Sequence, residues 1–123
     1  MELNLLTHEI LDSAYKVHLR LGPGLLESAY RACLVYELRK KGLIVEEEKA
    51  LPLIYEDVKL DCGYRIDILV ENQVVIELKT VEAFTDVHIA QVLTYMRLTE
   101  KKAGLLINFY TKSLKDGIKR LIL

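Results

Sequence analysis

The sequence has no excess of one charge, no long apolar run and no secretion signal, and each absence excludes a class of protein. Its 17 basic and 18 acidic side chains leave a formal charge of -1, so a nucleic-acid role would need a local basic patch. No apolar run approaches the roughly 18 residues of a membrane span. The opening MELNLLTHEI is acidic and lacks the apolar core of a signal peptide. We therefore expect no membrane partner.

Cysteine is scarce as well. Cys33 and Cys62 are the only two, and neither has a CxxC partner or histidine-rich surroundings. Zinc is therefore not expected, and reduced thiols in a cytoplasmic protein are the default. There is no internal repeat, low-complexity tract or linker. Residues 1–123 are predicted to form one globular domain, whose core is drawn from the 51% of hydrophobic residues.

What the sequence does contain is a succession of helical and strand periodicities. Helical spacing predicts three helices, over about 3–20, 25–41 and about 86–99. The first ends at Gly22-Pro23-Gly24, and Thr85 or Asp86 caps the third. Strand spacing predicts the segments 43–48, 50–56 with a bend near Pro52, a hairpin over 63–80, 103–109, and a terminal strand after a helical turn in 114–123. This order is typical of an α/β protein.

The hairpin GYRIDILVENQVVIELKT, residues 63–80, carries charges on an otherwise apolar pattern. Burial favours the register that groups apolar pairs on one face: Val70:Val74, Ile68:Ile76 and Ile66:Leu78. The other face then holds Leu69:Val75, Asp67:Glu77 and Arg65:Lys79. A three-residue tip, Glu71-Asn72-Gln73, joins the strands, and asparagine tolerates the positive φ that such turns need.

The pair Asp67:Glu77 is the chemically informative one. Directly opposed side chains have Cβ atoms about 4.5–5.5 Å apart. Two carboxylates that close repel each other unless a cation or a proton lies between them. A hard ion such as Mg²⁺ prefers oxygen ligands, and Lys79 shares the face of Glu77, where it can reach water or phosphate. The alternative is an exposed sheet face on which Arg65 and Lys79 form surface ion pairs with the acids.

Two helices offer further polar side chains. Glu27 shares a helical stripe with Tyr30 that is predicted to face inward, where a carboxylate needs a partner, a metal or solvent. Alternatively, Glu27 is an N3 glutamate that interacts with free amides at the helix start. On the third helix His88, Gln91 and Tyr95 share one face, which is either functional or a polar packing stripe.

These residues carry a resemblance. In chain order they are Glu27, Asp67, Glu77-Leu78-Lys79, and Gln91 with Tyr95. The order resembles the PD-(D/E)xK nuclease superfamily, and the last pair is similar to the QxxxY element of exonuclease domains in bacterial helicase-nuclease complexes. More narrowly, Gly24-Leu25-Leu26-Glu27-Ser28-Ala29-Tyr30 matches the signature of the GxxExxY family. The similarity extends over nearly the whole chain.

The resemblance implies roles for particular residues. Asp67, Glu77 and the main-chain carbonyl of Leu78 would bind Mg²⁺ or Mn²⁺, with Glu27 a further ligand, directly or through water. Lys79 would orient or activate the attacking water. The remaining candidates would shape the site or contact substrate: Gln91, Tyr95, His88, Arg65 and Tyr30.

The resemblance also implies the fold and the activity. The fold is a restriction-endonuclease-like α/β core of order α-β-β-β-α-β, with a mixed central sheet flanked by helices and an extra N-terminal helix packed outside it. The activity is metal-dependent hydrolysis of DNA or, as a second choice, RNA. The alternative is a catalytically silent domain that binds nucleic acid or a protein. A core this small would need a homodimer or larger assembly to build a channel for long duplex.

Overall fold

The computed structural model describes residues 1–123 as three α-helices, seven strands and one turn of 3-10 helix over Leu114–Gly117. The helices are α1 (Leu3–Leu21), α2 (Glu27–Lys40) and α3 (Asp86–Leu98). The strands are β1 (Val45–Ala50), β2 (Leu53–Tyr55), β3 (Val58–Leu60), β4 (Arg65–Val70), β5 (Val74–Lys79), β6 (Ala103–Asn108) and β7 (Ile118–Ile122). None of the helices combines the length and apolarity that crossing a membrane requires.

Five strands form one mixed sheet in the order β1-β4-β5-β6-β7. Only β5 and β6 run parallel, and the connection between them contains α3. This confirms the predicted α/β class with a mixed sheet flanked by helices. The predicted hairpin register is confirmed from Val70:Val74 to Ile68:Ile76. At its tip Asn72 has a φ of 53°, the positive value expected there.

The segment after β1 departs from its prediction as a single bent strand over 50–56. Instead β1 ends at Ala50, and β2 and β3 form a separate two-stranded sheet that turns at Glu56, where φ is 52°. Pro52 has no amide with which to continue a ladder, so it separates β1 from β2. The prediction missed β3 because the turn at Glu56 lacks the Asn-Gly or Gly-Gly pair that marks most tight hairpins.

The hydrophobic core lies on both faces of the large sheet. One cluster joins α1 and α2 to one face, and the other joins α3 to the opposite face. The extra N-terminal helix is present as predicted, before the α-β-β-β-α-β order begins, and it also contributes to the hydrophobic core. Leu6, Ile10 and Ala14 of α1 are fully buried in the same cluster as Ile76 of β5. Their helical spacing creates an apolar stripe that is stable only when covered.

Candidate active site

The sheet opens into a fork at the end of β4 and β5. The two strands stop pairing after Ile68:Ile76. Beyond that point β4 continues beside β1 as far as Arg65, and β5 continues beside β6 as far as Lys79. The predicted backbone pairs Ile66:Leu78, Asp67:Glu77 and Arg65:Lys79 are therefore not formed. Ile66 instead packs in the α3 cluster, whereas Leu78 packs in the α1 and α2 cluster.

Two carboxylates fill the fork. The amide of Leu78 donates to Asp67 Oδ2 at 2.9 Å, and the amide of Asp67 donates to Glu77 Oε1 at 3.3 Å. These bonds replace ladder bonds that the parted strands no longer make, because buried amides need an acceptor. The structure thus brings Asp67 and Glu77 together as predicted, through side chains rather than through backbone pairing. The second oxygen of each carboxylate accepts no hydrogen bond from a backbone amide.

The electrostatics of the pair are unfavourable for two negative charges. Glu77 is only 4% exposed, and burial together with the charge of Asp67 raises the pKa of Glu77 to about 8, with Lys79 opposing the rise. The eight ion pairs of the structure include neither Asp67 nor Glu77. The surface ion-pair interpretation of this face is therefore wrong, because Arg65 pairs with Asp61 instead, at 3.7 Å.

Glu27 joins the carboxylate pair from α2. Its side chain is partly buried. Burial raises the pKa of the Glu27 carboxyl, the charge of Asp67 raises it further, and Lys79 and Arg31 oppose the rise. The interpretation of Glu27 as an N3 capping residue is wrong, since α2 begins at Glu27 and no side-chain bond caps it. Glu27, Asp67, Glu77 and Lys79 therefore share one electrostatic neighbourhood, as the sequence predicted.

The polar face of α3 adjoins the same neighbourhood. Gln91 Nε2 donates to the Tyr95 hydroxyl at 3.1 Å. Burial raises the pKa of the Tyr95 phenol, and the charges of Glu77 and Asp67 contribute to the rise. Gln91 and Tyr95 therefore form a hydrogen-bonded pair, and the Tyr95 phenol lies within the electrostatic influence of the two carboxylates.

His88 and Arg65 occupy other positions. The amide of Thr85 donates to His88 Nδ1 at 3.0 Å, and the amide of His88 donates to Thr85 Oγ1 at 3.3 Å. This capping box starts α3 and confirms Thr85 as its N-cap. Arg65 is exposed and donates to the carbonyl of Tyr64. Neither side chain hydrogen-bonds Asp67 or Glu77, so their contacts with substrate stay predictions.

Tyr30 has a structural position, and its prediction as a substrate contact is wrong. The ring is fully buried and stacks on Phe109 with centroids 4.5 Å apart. Its hydroxyl donates to the carbonyl of Gly22 and accepts from the amide of Leu25 at 3.1 Å. The inward orientation of Tyr30 was predicted correctly. Its role is to stabilise the turn that leads into α2 through these hydrogen bonds.

Replacing Tyr30 with phenylalanine should lower the free energy of unfolding by about 1–2 kcal/mol, because the backbone groups of Gly22 and Leu25 lose a buried partner. Urea denaturation monitored by circular dichroism measures the change. Tyr36→Phe is the control, since Tyr36 is an exposed tyrosine of the same helix. Equal stability of both variants would contradict this role for the Tyr30 hydroxyl.

Asn108 is a positioning residue that the sequence interpretation missed. It is buried at the end of β6, beside Lys79 in the sheet register. Its amide donates to the carbonyl of Val81 at 2.7 Å, and its oxygen accepts from the amide of Val81 at 3.1 Å. This clamp fixes the chain just beyond Lys79. A lone asparagine in the apolar run AGLLINF was the available signal, because a buried amide needs partners.

A family model described as the PD-(D/E)XK nuclease superfamily matches residues 4–121. The chain belongs to this superfamily. PD-(D/E)XK proteins generally act as nucleases, take nucleic acid as substrate and use divalent metal ions. Neither a curated protein nor a solved structure matches the chain.

The carboxylates of the fork match part of what a divalent ion requires. The donors are carboxylate oxygens, which hard ions prefer, and the raised pKa of Glu77 marks a place where positive charge is favourable. No group of three or more His, Cys, Asp or Glu side chains is close enough to enclose an ion. Mg²⁺ commonly takes one or two carboxylates and keeps several waters. Asp67 and Glu77 fit such an ion, with remaining positions left to the main chain, water and substrate.

Proposed function

We propose that the chain is a divalent-metal-dependent nuclease that hydrolyses phosphodiester bonds of DNA, with RNA as the second choice of substrate. Asp67, Glu77 and the main-chain carbonyl of Leu78 would hold Mg²⁺ or Mn²⁺, and Glu27 would contribute directly or through water. The observation that carries the proposal is the fork. It holds two carboxylates together on buried strands, with Glu77 almost inaccessible to solvent and joined to no basic side chain.

The side chains around the fork have distinct chemical tasks. A divalent ion held there supplies Lewis-acid polarisation of the scissile phosphate. Lys79, two residues beyond Glu77 on β5, would orient the attacking water and favour its ionised form through its positive charge. Attack on phosphorus breaks a P–O ester bond and leaves a phosphate monoester and a free hydroxyl. Gln91 and Tyr95 would contact the phosphate, and His88 and Arg65 would contact flanking substrate.

Within the superfamily we assign the chain to the GxxExxY family, and we take residues 1–123 as one domain. The signature residues have structural tasks that support this assignment. Gly24 has a φ of 107°, which favours glycine, and Tyr30 fastens the same turn. Glu27 is the first residue of α2, just after this turn, and its carboxyl is influenced by the charge of Asp67. A homodimer or larger assembly would supply the channel that long duplex requires.

Metal binding tests the site without relying on catalysis. Asp67→Asn and Glu77→Gln should each weaken Mn²⁺ binding by at least roughly 100-fold, since each removes a charged ligand while keeping an acceptor for the backbone amide. Isothermal calorimetry measures the affinity. Glu82→Gln, at an exposed glutamate close after β5, is the control. If both site variants bind Mn²⁺ with unchanged affinity, the metal-site proposal is wrong.

A second candidate function is a domain that binds nucleic acid or a protein without cutting. The absence of three grouped ligand side chains favours it. Purified protein incubated with labelled DNA and RNA in Mn²⁺, with EDTA as the control, separates the two functions. Cleavage that EDTA stops supports the nuclease. A protein that binds Mn²⁺ and nucleic acid but leaves every strand intact supports the binding domain.

A further inference from the structure

A cleft of about 240 Å³ lies between α3 and the segment that leads into β4. Its walls are mostly apolar or aromatic, and six of the lining residues are Leu51, Leu53, Tyr64, Gln91, Tyr95 and Leu98. The volume is below the roughly 300–1,000 Å³ of pockets for drug-sized ligands, so the cleft suits a single ring system. Two features connect the cleft to the candidate active site. Tyr64 lies three residues before Asp67 along the chain, and Tyr95 packs in the same hydrophobic cluster as Ile66, the neighbour of Asp67 on β4.

We propose that this cleft binds one unpaired nucleobase of the substrate, stacked on Tyr64, while the adjoining phosphodiester lies at Asp67 and Glu77. The inference rests on the proposed function, since it takes nucleic acid as the substrate. Aromatic side chains stack on any base through its π face, and this is the common way in which proteins bind single strands. A base inside a duplex would first have to leave the stack.

Tyr64 has the placement that a stacking platform needs. Tyr64 is 45% exposed, and its ring meets the ring of Tyr95 edge-on, with centroids 6.3 Å apart. Its carbonyl accepts hydrogen bonds from the amide of Leu51 at 3.0 Å and from Arg65 Nη1 at 2.9 Å. Two hydrogen bonds therefore anchor the backbone, and the edge contact with Tyr95 restrains the ring, which stays partly exposed. A ring held in position in this way loses little conformational entropy when a base stacks on it.

Gln91 supplies a polar group at the same cleft. Its Nε2 is engaged by the Tyr95 hydroxyl, whereas its Oε1 accepts no hydrogen bond within the protein. That oxygen can accept from the exocyclic amino group of a base. Gln91 and Thr94 are the two polar residues of a lining that is otherwise apolar or aromatic, so stacking dominates and base preference is weak. The structure therefore favours single-stranded or locally unpaired substrate over paired duplex.

Binding in EDTA tests the base site while cleavage is suppressed. Fluorescence anisotropy with a labelled single strand should give a Kd about 10-fold higher for Tyr64→Ala than for the original protein. The original protein should lose a similar factor on a strand with abasic sites, and Tyr64→Ala should no longer distinguish the two strands. Tyr55→Ala, at a 67% exposed tyrosine of β2 outside the cleft, should stay within about twofold.

A second variant gives a direct signal. The chain has no tryptophan, so Tyr64→Trp introduces a single reporter whose fluorescence should be quenched by an intact strand and much less by an abasic one. Quenching by a fully paired duplex and by a duplex with a single mismatch shows whether the bound base comes from a single strand or is flipped out of a duplex. Stronger quenching by the mismatched duplex than by the single strand identifies a flipped base, and the reverse identifies single strands. Both results support the cleft as a base site.

Several results overturn the inference. The first is that the original protein binds intact and abasic strands with equal affinity. The second is that Tyr64→Ala leaves the Kd unchanged. The third is that paired duplex binds as tightly as single strands do, whether or not Tyr64 is present. A cleavage assay in Mn²⁺ tests the proposed nuclease activity independently of the base site. A protein that cuts DNA but ignores abasic sites loses only the base site. A protein with base-dependent quenching that never cuts keeps the base site and loses the nuclease activity.

Discussion

Mn²⁺-dependent cleavage of DNA should fall by about 100- to 1,000-fold when Lys79 is replaced by alanine, while Mn²⁺ binding persists. Lys79 is a source of positive charge in the neighbourhood of Glu27 and Glu77, where it opposes the rise in pKa of both carboxyls. The same charge would stabilise negative charge that develops on the phosphate and the attacking water. Loss of Lys79 therefore removes an interaction of the transition state and leaves the ligands in place.

Single-turnover cleavage of a labelled oligonucleotide measures the rate, and Mn²⁺ relaxation measures the bound metal. Lys59→Ala is the matched control, because Lys59 is an exposed lysine of β3 that forms no ion pair. Its rate should equal that of the original protein. A Lys79→Ala protein that cleaves at the original rate would exclude the proposed role of this lysine. A variant that loses metal as well would make Lys79 part of the metal site instead.

The stability of the metal-free protein should fall as pH rises from about 5 to 9, and Glu77→Gln should remove much of this fall. The pKa of the Glu77 carboxyl is raised to about 8 in the folded protein from its ordinary value of 4.5. Below pH 4.5 the Glu77 carboxyl is protonated in both the folded and the unfolded chain. Between the two pKa values the unfolded chain releases the proton and the folded chain keeps it, so stability decreases with pH. Above the folded pKa the loss is complete, on the order of 3–5 kcal/mol.

Glutamine resembles the protonated glutamic acid, since it keeps an acceptor for the Asp67 amide and offers a donor to the Asp67 carboxylate. The original protein and Glu77→Gln should therefore have similar stability near pH 5 and differ most near pH 9, where the variant is more stable. Urea denaturation in EDTA across this pH range measures both curves. Glu82→Gln should follow the original protein. If stability changes with pH in the same way in Glu77→Gln and in the original protein, the pH dependence does not arise from the Asp67 and Glu77 pair.

The part of the hairpin register that depends on local burial could be predicted from the sequence. Apolar residues must meet on a common face, which determines the pairs from Val70:Val74 to Ile68:Ile76. The fork beyond them could not be predicted in the same way. It depends on β1 beside β4 and β6 beside β5, and the register of such distant partners has no local signal. Asp67 and Glu77 were found nevertheless, because the fork keeps them adjacent.

Predictions for helical residues succeeded and failed for a related reason. Spacing identified the buried faces of α1 and α2, but spacing does not specify which neighbour covers a face. The sequence therefore predicted an inward position for Tyr30 without its bonds to Gly22 and Leu25. It predicted α1 as an addition to the α-β-β-β-α-β order without the contacts of α1 in the hydrophobic core. Tyr64 was missed altogether. Its edge contact with Tyr95 joins two distant parts of the chain.

The fork has a consequence for the evolution of this chain. Asp67 and Glu77 accept hydrogen bonds from backbone amides that the parted strands leave free, so each acid supports the fold as well as the proposed chemistry. A descendant that stopped cutting nucleic acid would still be selected to keep an acceptor at both positions, where asparagine and glutamine would suffice. Lys79 has no such structural bond. Drift from lysine at position 79, with the acids or their amides retained, would be the first mark of a lineage that has lost catalysis.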